Sequence, residues 1–342
     1  VTSPSYRFDL AIEVDLIEEI ARVKGYDNLP AVLPQTLAGM PGLPEQQRGQ
    51  AVAKERLMAL GYQEVITYSF IDARQQEMVA PGIEPITLVN PIASQMGVMR
   101  GSLIPGLLGT LRHNHNHGQE RLRIFELGRC FLGTDSAGQP LRLGGLAYGP
   151  AHPEQWGEGA RMVDYFDVKA DLEALLWPMT AVYAKGEHPA LHPGQCARVT
   201  VAGQAAGWLG ALHPRLVQQL GLNRAPVLFE LDWAALATRE LPRYRTVSRF
   251  PAVRRDIAVV VENALAVAEI LAAVQAALPA LVTDVALFDV YQGKGVPEGK
   301  KSLAFKMLLQ DTEKTLTDVE IEKTVSEVLA FMSERFGATL RS

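Results

Sequence analysis

Asp9, Asp15, Glu18 and Glu19 place four carboxylates within eleven residues. Oxygen-rich clusters of this kind suit a hard cation such as Mg²⁺, which keeps part of its water shell and takes only some ligands from protein. The same residues also read as a helix start, because Asp15 with Glu18 has capping-box spacing and acids in a first turn favour the helix dipole. Spacing alone leaves both readings open. His113, His115 and His117 alternate with Asn114 and Asn116. A period of two splays three rings around a helix axis, which favours a polar helix terminus over a zinc site. His152-Pro153, His192-Pro193 and His213-Pro214 fit turn or helix-start chemistry. Cys130 and Cys196 lie far apart, without the clustered spacing of a metal site or redox pair, and fit a reducing cytoplasm. No Ser-His-Asp or Cys-His assembly can be argued from spacing.

Towards the C-terminus Arg249, Arg254, Arg255, Lys294, Lys300, Lys301 and Lys306 gather in a chain whose net charge is -5. That balance excludes wholesale coating by nucleic acid, so any RNA contact is a local patch. Ordinary surface charge is the plain alternative. Phe288, Tyr291 and Phe305 lie in the same region and offer rings on which unpaired bases stack.

The 342 residues exceed the size at which one core usually stays single, so two or three domains are expected. A composition of 48% hydrophobic and 21% charged residues is that of a globular protein. No apolar run approaches the ~18 residues of a membrane span. The start at Val1, running at once into strand-like Tyr6 to Leu10, suggests a piece of a longer chain.

The spacing predicts a helix over Asp15 to Lys24, stopped by Gly25, and a Pro- and Gly-rich linker over 31–44. From Glu45 to about Arg239, helix and strand patterns alternate as in an α+β domain on an antiparallel sheet. Gln46 to Leu60 reads as a helix and Glu64 to Phe70 as a strand. Ser102 caps a helix reaching about Asn114, Arg121 to Leu132 is a strand, and Ala202-Gly203 turns a hairpin. After a basic connector from Pro242 to Pro251 come a strand over 256–261, a helix over 266–278, strands over 282–291 and 302–309, a helix over 318–336 and a short strand at 338–340. That β-α-β-β-α-β order is ferredoxin-like: two helices cover one sheet face and leave the other free to bind.

Three stretches, in this order, resemble the β subunits of bacterial phenylalanyl-tRNA synthetases and together cover essentially the whole chain. Pro4-Ser5-Tyr6-Arg7-Phe8-Asp9 with Asp15 to Asp27 is similar to the end of that family's B5 domain. Asn90-Pro91-Ile92, Met99 to Leu108 and Phe125-Glu126-Leu127-Gly128-Arg129 are similar to its catalytic-like core. Phe250 to Asp256, Phe288-Asp289-Val290-Tyr291 and Lys300 to Ala304 are similar to its anticodon-binding domain.

The resemblance implies an α+β fold: a degenerate class II synthetase-like antiparallel core followed by a ferredoxin-like anticodon-binding domain. Its parts would be the end of B5 at 1–30, a linker at 31–44, the B6-B7 core at 45–240, a linker at 241–247 and B8 at 248–342. It implies Mg²⁺ at Asp9, Asp15, Glu18 and Glu19, shared with a catalytic α subunit in an α₂β₂ heterotetramer. It implies tRNA(Phe) contacts at Arg249, Arg254, Arg255, Lys294, Lys301, Tyr291 and Phe288. ATP and phenylalanine would be used by the assembled enzyme in the cytoplasm, not bound by this segment. A tRNA-binding OB fold and an editing domain would lie upstream. A class II ATP site needs an Arg two residues before an acidic residue and a late Gly-rich strand ending in Arg, whose forked donors neutralise phosphate. Here Ile124 stands two before Glu126, and Gly207-Trp208-Leu209-Gly210 runs into Ala211-Leu212-His213 without the Arg. No catalytic residue is therefore assigned. The rival reading is a stand-alone RNA-binding or interaction module with a ferredoxin-like part and no synthetase partner.

Overall fold

Residues 2–33, 39, 44–241, 244, 246–277 and 281–341 are described in a computed structural model, in which the chain divides into two units, Val1–Pro44 and Glu45–Ser342. Parts of the expected linkers, at 34–38, 40–43, 242–243 and 245, fall outside the described residues, as does Leu278 at the end of an expected helix. Among the described residues no helix is long and apolar enough to cross a membrane.

The first unit holds helix α1 (Glu13–Lys24). It begins two residues before the expected Asp15 because Asp15 is the third helical residue, its carboxylate accepting from the amides of Ala11 at 2.8 Å and Ile12 at 2.9 Å. Only the backward half of a capping box is present, Asp15 accepting from the Ile12 amide, because the Ile12 side chain has no acceptor; no box runs from Asp15 to Glu18.

In the second unit helix α2 (Gln50–Ala59) starts later than the pattern predicts. Gln47 bridges to Thr238 and the Arg48 amide donates to the Ala237 carbonyl, so a distant segment takes the backbone ahead of the helix. Strand β1 (Gln63–Glu64) is short, and the expected strand to Phe70 is broken, resuming as β2 (Phe70–Ile71). Helix α3 (Ala73–Val79), capped by Asp72, and strand β3 (Val98–Met99), paired with β2, precede helix α4 (Ile104–Asn116).

Next come β4 (Leu122–Arg129), β5 (Leu141–Tyr148), α5 (Tyr165–Leu176), β6 (Ala181–Lys185), β7 (Leu191–Val201), β8 (Gln204–Leu212), α6 (Pro214–Gln219), β9 (Val227–Asp232) and α7 (Trp233–Leu236). The sheet order is β1-β4-β5-β9-β8-β7-β6, with only β1 and β4 parallel. The hairpin between β7 and β8 turns on Ala202 and Gly203, both with positive φ, as a two-residue turn matched to strand twist requires.

Both faces of this sheet are covered. Phe125, Leu143, Phe229 and Leu231 pack with α2 and α5 on one side. Ile124, Leu146 and Leu228 pack with Leu103, Leu107 and Leu111 on the other. Successive side chains of a strand point to opposite faces, which is why Ile124 and Phe125 enter different cores.

The last part runs β10 (Val253–Glu262), α8 (Val267–Ala277), β11 (Val282–Tyr291), β12 (Lys300–Leu309), α9 (Asp318–Phe336) and β13 (Thr339–Leu340). Its antiparallel sheet has the order β11-β12-β10-β13. Ile257, Val259, Val261, Leu303, Phe305 and Met307 meet Ile270, Val274, Ile321, Val328 and Met332 of the two helices on one face only. Thr317 and Glu320 form the capping box that starts α9, and left-handed Gly337 ends it.

Candidate nucleic-acid interface

Alternation along β10 sends Ile257, Val259 and Val261 into the core, and therefore sends Arg254, Asp256, Ala258 and Val260 to the face that α8 and α9 leave uncovered, where Val260 and its neighbour Ser302 are nonetheless buried. Register carries the pattern across the sheet: Ala258 sits beside Ala304, Val260 beside Ser302, and Ser302 beside Tyr291. The alanines keep the middle of the face low. Phe288 lies at a bulge in β11 and stays 52% exposed. Arg254 stands 5.7 Å from its ring centre. Tyr291 is overlain by Arg341, 4.7 Å from its ring centre.

The seven residues expected to touch RNA do not form one patch. Arg254 and Phe288 pair on the uncovered face, and Tyr291 lies on the same face farther along β11, opposite Ser302. Arg249 is exposed just before β10, where the Ser248 hydroxyl donates to the Asp311 carbonyl at 2.5 Å. Lys294 lies in the loop after β11, exposed, and its carbonyl accepts from the Tyr291 hydroxyl at 3.3 Å. A Cβ on Gly293 would come 2.8 Å from the Tyr291 hydroxyl, so a side chain there would shift the Tyr291 ring. Arg255 is paired with Met307 and Lys301 with Val261, so both start towards the helix side. The Lys301 ammonium donates to the carbonyls of Asn263 at 3.0 Å and Leu265 at 2.7 Å. Arg341 was invisible to residue clustering, since no basic neighbour flags it.

Arg254 is neutralised locally. It grips Asp256 with two hydrogen bonds, of 2.8 and 3.0 Å, and holds that carboxyl below its ordinary range.

The carboxylate cluster of the first unit is laced by arginines. Arg7 bridges Asp9 at 2.8 Å and Glu19 at 2.5 Å, and Arg22 reaches Glu19 at 2.6 Å. These guanidinium groups, Arg7 first, hold Glu19 down to about 2, and Arg7 holds Asp9 below its ordinary value. Asp15 is engaged with backbone amides. Among the described residues no three metal-ligating side chains gather. What the structure brings together is two ionised carboxylates on one shared cation, the Arg7 guanidinium; Asp15 and Glu18 do not join them.

On the seven-stranded sheet the polar side chains engage one another. Arg100 meets Glu126 at 2.6 Å with both side chains under 5% exposed, and Thr67 donates to the same carboxylate at 2.7 Å. Glu230 accepts from the Ser102 hydroxyl at 2.8 Å, the Leu103 amide at 2.6 Å and Arg142 at 2.8 Å. Ile124 is buried in the adjoining core. The glycines of β8 serve close backbone approach: a Cβ on Gly207 would lie 2.0 Å from the Glu230 carbonyl oxygen, and one on Gly210 2.6 Å from that of Gln195. At the end of α4 the rings of His113 and His117 stack at 4.3 Å while His115 turns to Tyr148. Two of the three histidines thus share a side, at i and i+4, where a period-of-two reading separates all three.

Three family descriptions match in order: tRNA synthetase B5 domain over 1–26, phenylalanyl tRNA synthetase beta chain CLM domain over 29–233, and ferredoxin-fold anticodon binding domain over 248–341. Over its whole length the chain is 52% identical to the phenylalanine–tRNA ligase beta subunit of Thiobacillus denitrificans and 50% to that of Chromobacterium violaceum. It is 48% identical to that of Nitrosospira multiformis. It spans 43% of the length of each of these relatives. A solved structure of Desulfitobacterium hafniense PylSc, a pyrrolysyl tRNA synthetase, aligns with a TM-score of 0.41 and 14% identity over 56% of this chain and 70% of that one. With more than half of its residues matched by the CLM description and the flanking matches in register, the chain belongs to the family of phenylalanine–tRNA ligase beta subunits.

Proposed function

We propose that this chain is the noncatalytic part of a phenylalanine–tRNA ligase β subunit, docking the catalytic α subunit and holding tRNA(Phe) while that partner joins phenylalanine to it with ATP. The observation that carries the reading is the uncovered face of the ferredoxin-fold sheet, where Phe288 and Tyr291 lie under the guanidinium groups of Arg254 and Arg341. Exposed rings suit unstacked bases, and guanidinium groups suit phosphates. Arg254, Phe288 and Tyr291 form the face, and Arg249 and Lys294 flank it. Arg255 and Lys301 start from the far side, where Lys301 is held by two backbone carbonyls.

The division of labour is one of segments: 1–30 beside the partner, 45–240 as the degenerate core, and 248–342 on the anticodon side, with linkers at 31–44 and 241–247. Docking is supported by exposed Ile66 and Tyr68, which line a cleft of about 730 Å³ with Phe70, Met96, Pro105 and His113. ATP and phenylalanine belong to the partner, since both faces of the seven-stranded sheet are packed by side chains and helices. Bound Mg²⁺ would supply a hard, water-carrying positive charge. Asp9 and Glu19 are the pair fit to hold it, in exchange for Arg7, with Asp15 and Glu18 nearby in sequence and further ligands from the partner. The assembly is an α₂β₂ heterotetramer in the cytoplasm.

Sedimentation of the chain with purified phenylalanine–tRNA ligase α subunit from one of the relatives tests docking. Co-sedimentation at micromolar concentration is the expected result. Independent sedimentation of two folded proteins contradicts it and favours a stand-alone RNA-binding module.

A further inference from the structure

Three arginines beside the seven-stranded sheet gather without a counter-ion. Arg48, just ahead of α2, is 7% exposed; its Nη2 donates to the Leu175 carbonyl near the end of α5, and its Nη1 is buried with no partner among the described residues. Arg56 of α2 donates to the same carbonyl at 3.0 Å and to that of Trp177. Arg239 is brought beside them because its amide donates to the Gln46 carbonyl at 2.8 Å and its Nε to the Glu45 carbonyl at 2.9 Å. Among the described residues neither amino group of Arg239 has a partner, and none of the three arginines meets a carboxylate. The charges press on one another: burial first, then Arg56 and Arg239, bring the Arg48 guanidinium down to about 10. Carbonyls at a helix C-terminus offset only about half an elementary charge. A buried N–H left without an acceptor is costly.

Arg239 also lines a cleft of about 730 Å³, the size of a small-molecule site, together with Thr180, Thr200 and Gln46 and with apolar Met179 and Val182. Glu240 lies on the same wall, exposed, and pairs with none of the arginines. We propose that this cleft binds a doubly charged oxyanion of the phosphate class, held by the amino groups of Arg239 with Arg48 and Arg56 behind it. Guanidinium forks match phosphate geometry, and the threonine hydroxyls and the Gln46 amide are neutral donors. Met179 and Val182 offer a surface to the organic part of a phosphomonoester. The site draws on no residue of the ferredoxin-fold part and does not rest on the reading of the chain as a tRNA partner.

The test is isothermal titration of the full chain with inorganic phosphate and, separately, with phenyl phosphate, against potassium chloride of equal ionic strength, for wild type, Arg239→Ala and Arg239→Lys. Saturable one-to-one binding to the wild type is expected, weakened about tenfold by Arg239→Ala and less by Arg239→Lys, which keeps the charge but not the fork. Tighter binding of phenyl phosphate assigns the site to an organic phosphate, and equal or weaker binding assigns it to the inorganic ion. Absence of saturable binding to the folded wild type, or binding that Arg239→Ala leaves unchanged, overturns the proposal and leaves Arg48 and Arg56 as a clamp on the end of α5. Arg239 is exposed, so its removal spares the core, which circular dichroism checks. Should Arg239→Ala unfold, Arg239→Gln replaces it: it keeps a donor for the Glu45 carbonyl without charge, and an unchanged affinity there is equally contrary.

Discussion

At the residue scale, the polar side chains around the seven-stranded sheet are spent on one another. Arg100 is bound on three sides, by Glu126 at 2.6 Å, the Thr67 hydroxyl at 3.0 Å and the Arg129 carbonyl at 2.9 Å. Gly128 makes room for it, since a Cβ there would meet the guanidinium at 2.3 Å. Removing one member of such a buried pair strands the other charge. Arg100→Ala is accordingly expected to cost about 3–5 kcal/mol, read as a lower urea midpoint of the full chain, whereas joint replacement of Arg100 and Glu126 by apolar residues of similar volume costs far less. Equal losses in the single and the double variant would show that the pair is not coupled as the geometry requires. The exposed pairs of Arg7 in the first unit are screened by solvent and carry no comparable expectation.

At the element scale, strand alternation decides which basic residues can act together. Neighbouring Arg254 and Arg255 leave β10 on opposite sides, and Lys301 is spent on two backbone carbonyls at the end of β10. Lys301→Ala is therefore expected to lower stability by about 1 kcal/mol while leaving the salt slope of RNA binding unchanged, checked by urea unfolding and paired titrations. A slope flattened as much as by a phosphate contact would return Lys301 to the interface. The ferredoxin-like order was legible because apolar Ile257, Val259, Val261, Leu303, Phe305 and Met307 alternate cleanly and Thr317 and Gly337 mark the ends of α9. The hairpin at Ala202-Gly203 was legible for the same kind of local reason. What escaped depends on distant partners. Thr67 donates to Glu126, breaking a segment whose Val65, Ile66 and Tyr68 read as strand. Gln47 pairs with Thr238, trimming α2. Asp15, by contrast, binds amides behind it rather than ahead, a local contact that starts the helix two residues earlier than the spacing predicts. Arg341 meets Tyr291 only because β13 and β11 are the two edges of one sheet.

At the scale of the whole molecule, a net charge of -5 opposes nonspecific attachment to nucleic acid, so the proposed affinity for tRNA has to come from one face and not from bulk attraction. Rings beneath guanidinium groups on an uncovered sheet face would provide such a locus, whereas both faces of the larger sheet are packed. The most direct measurement is a low-salt competition experiment with the full chain, in which the anticodon stem-loop and the acceptor minihelix of tRNA(Phe) each displace labelled tRNA(Phe). The account predicts that the stem-loop competes and the minihelix does not, with a slope of about 0.7–0.9 log units per phosphate contact as salt is raised. Competition by the minihelix alone, or failure of the folded chain to bind labelled tRNA(Phe) at all, would contradict it.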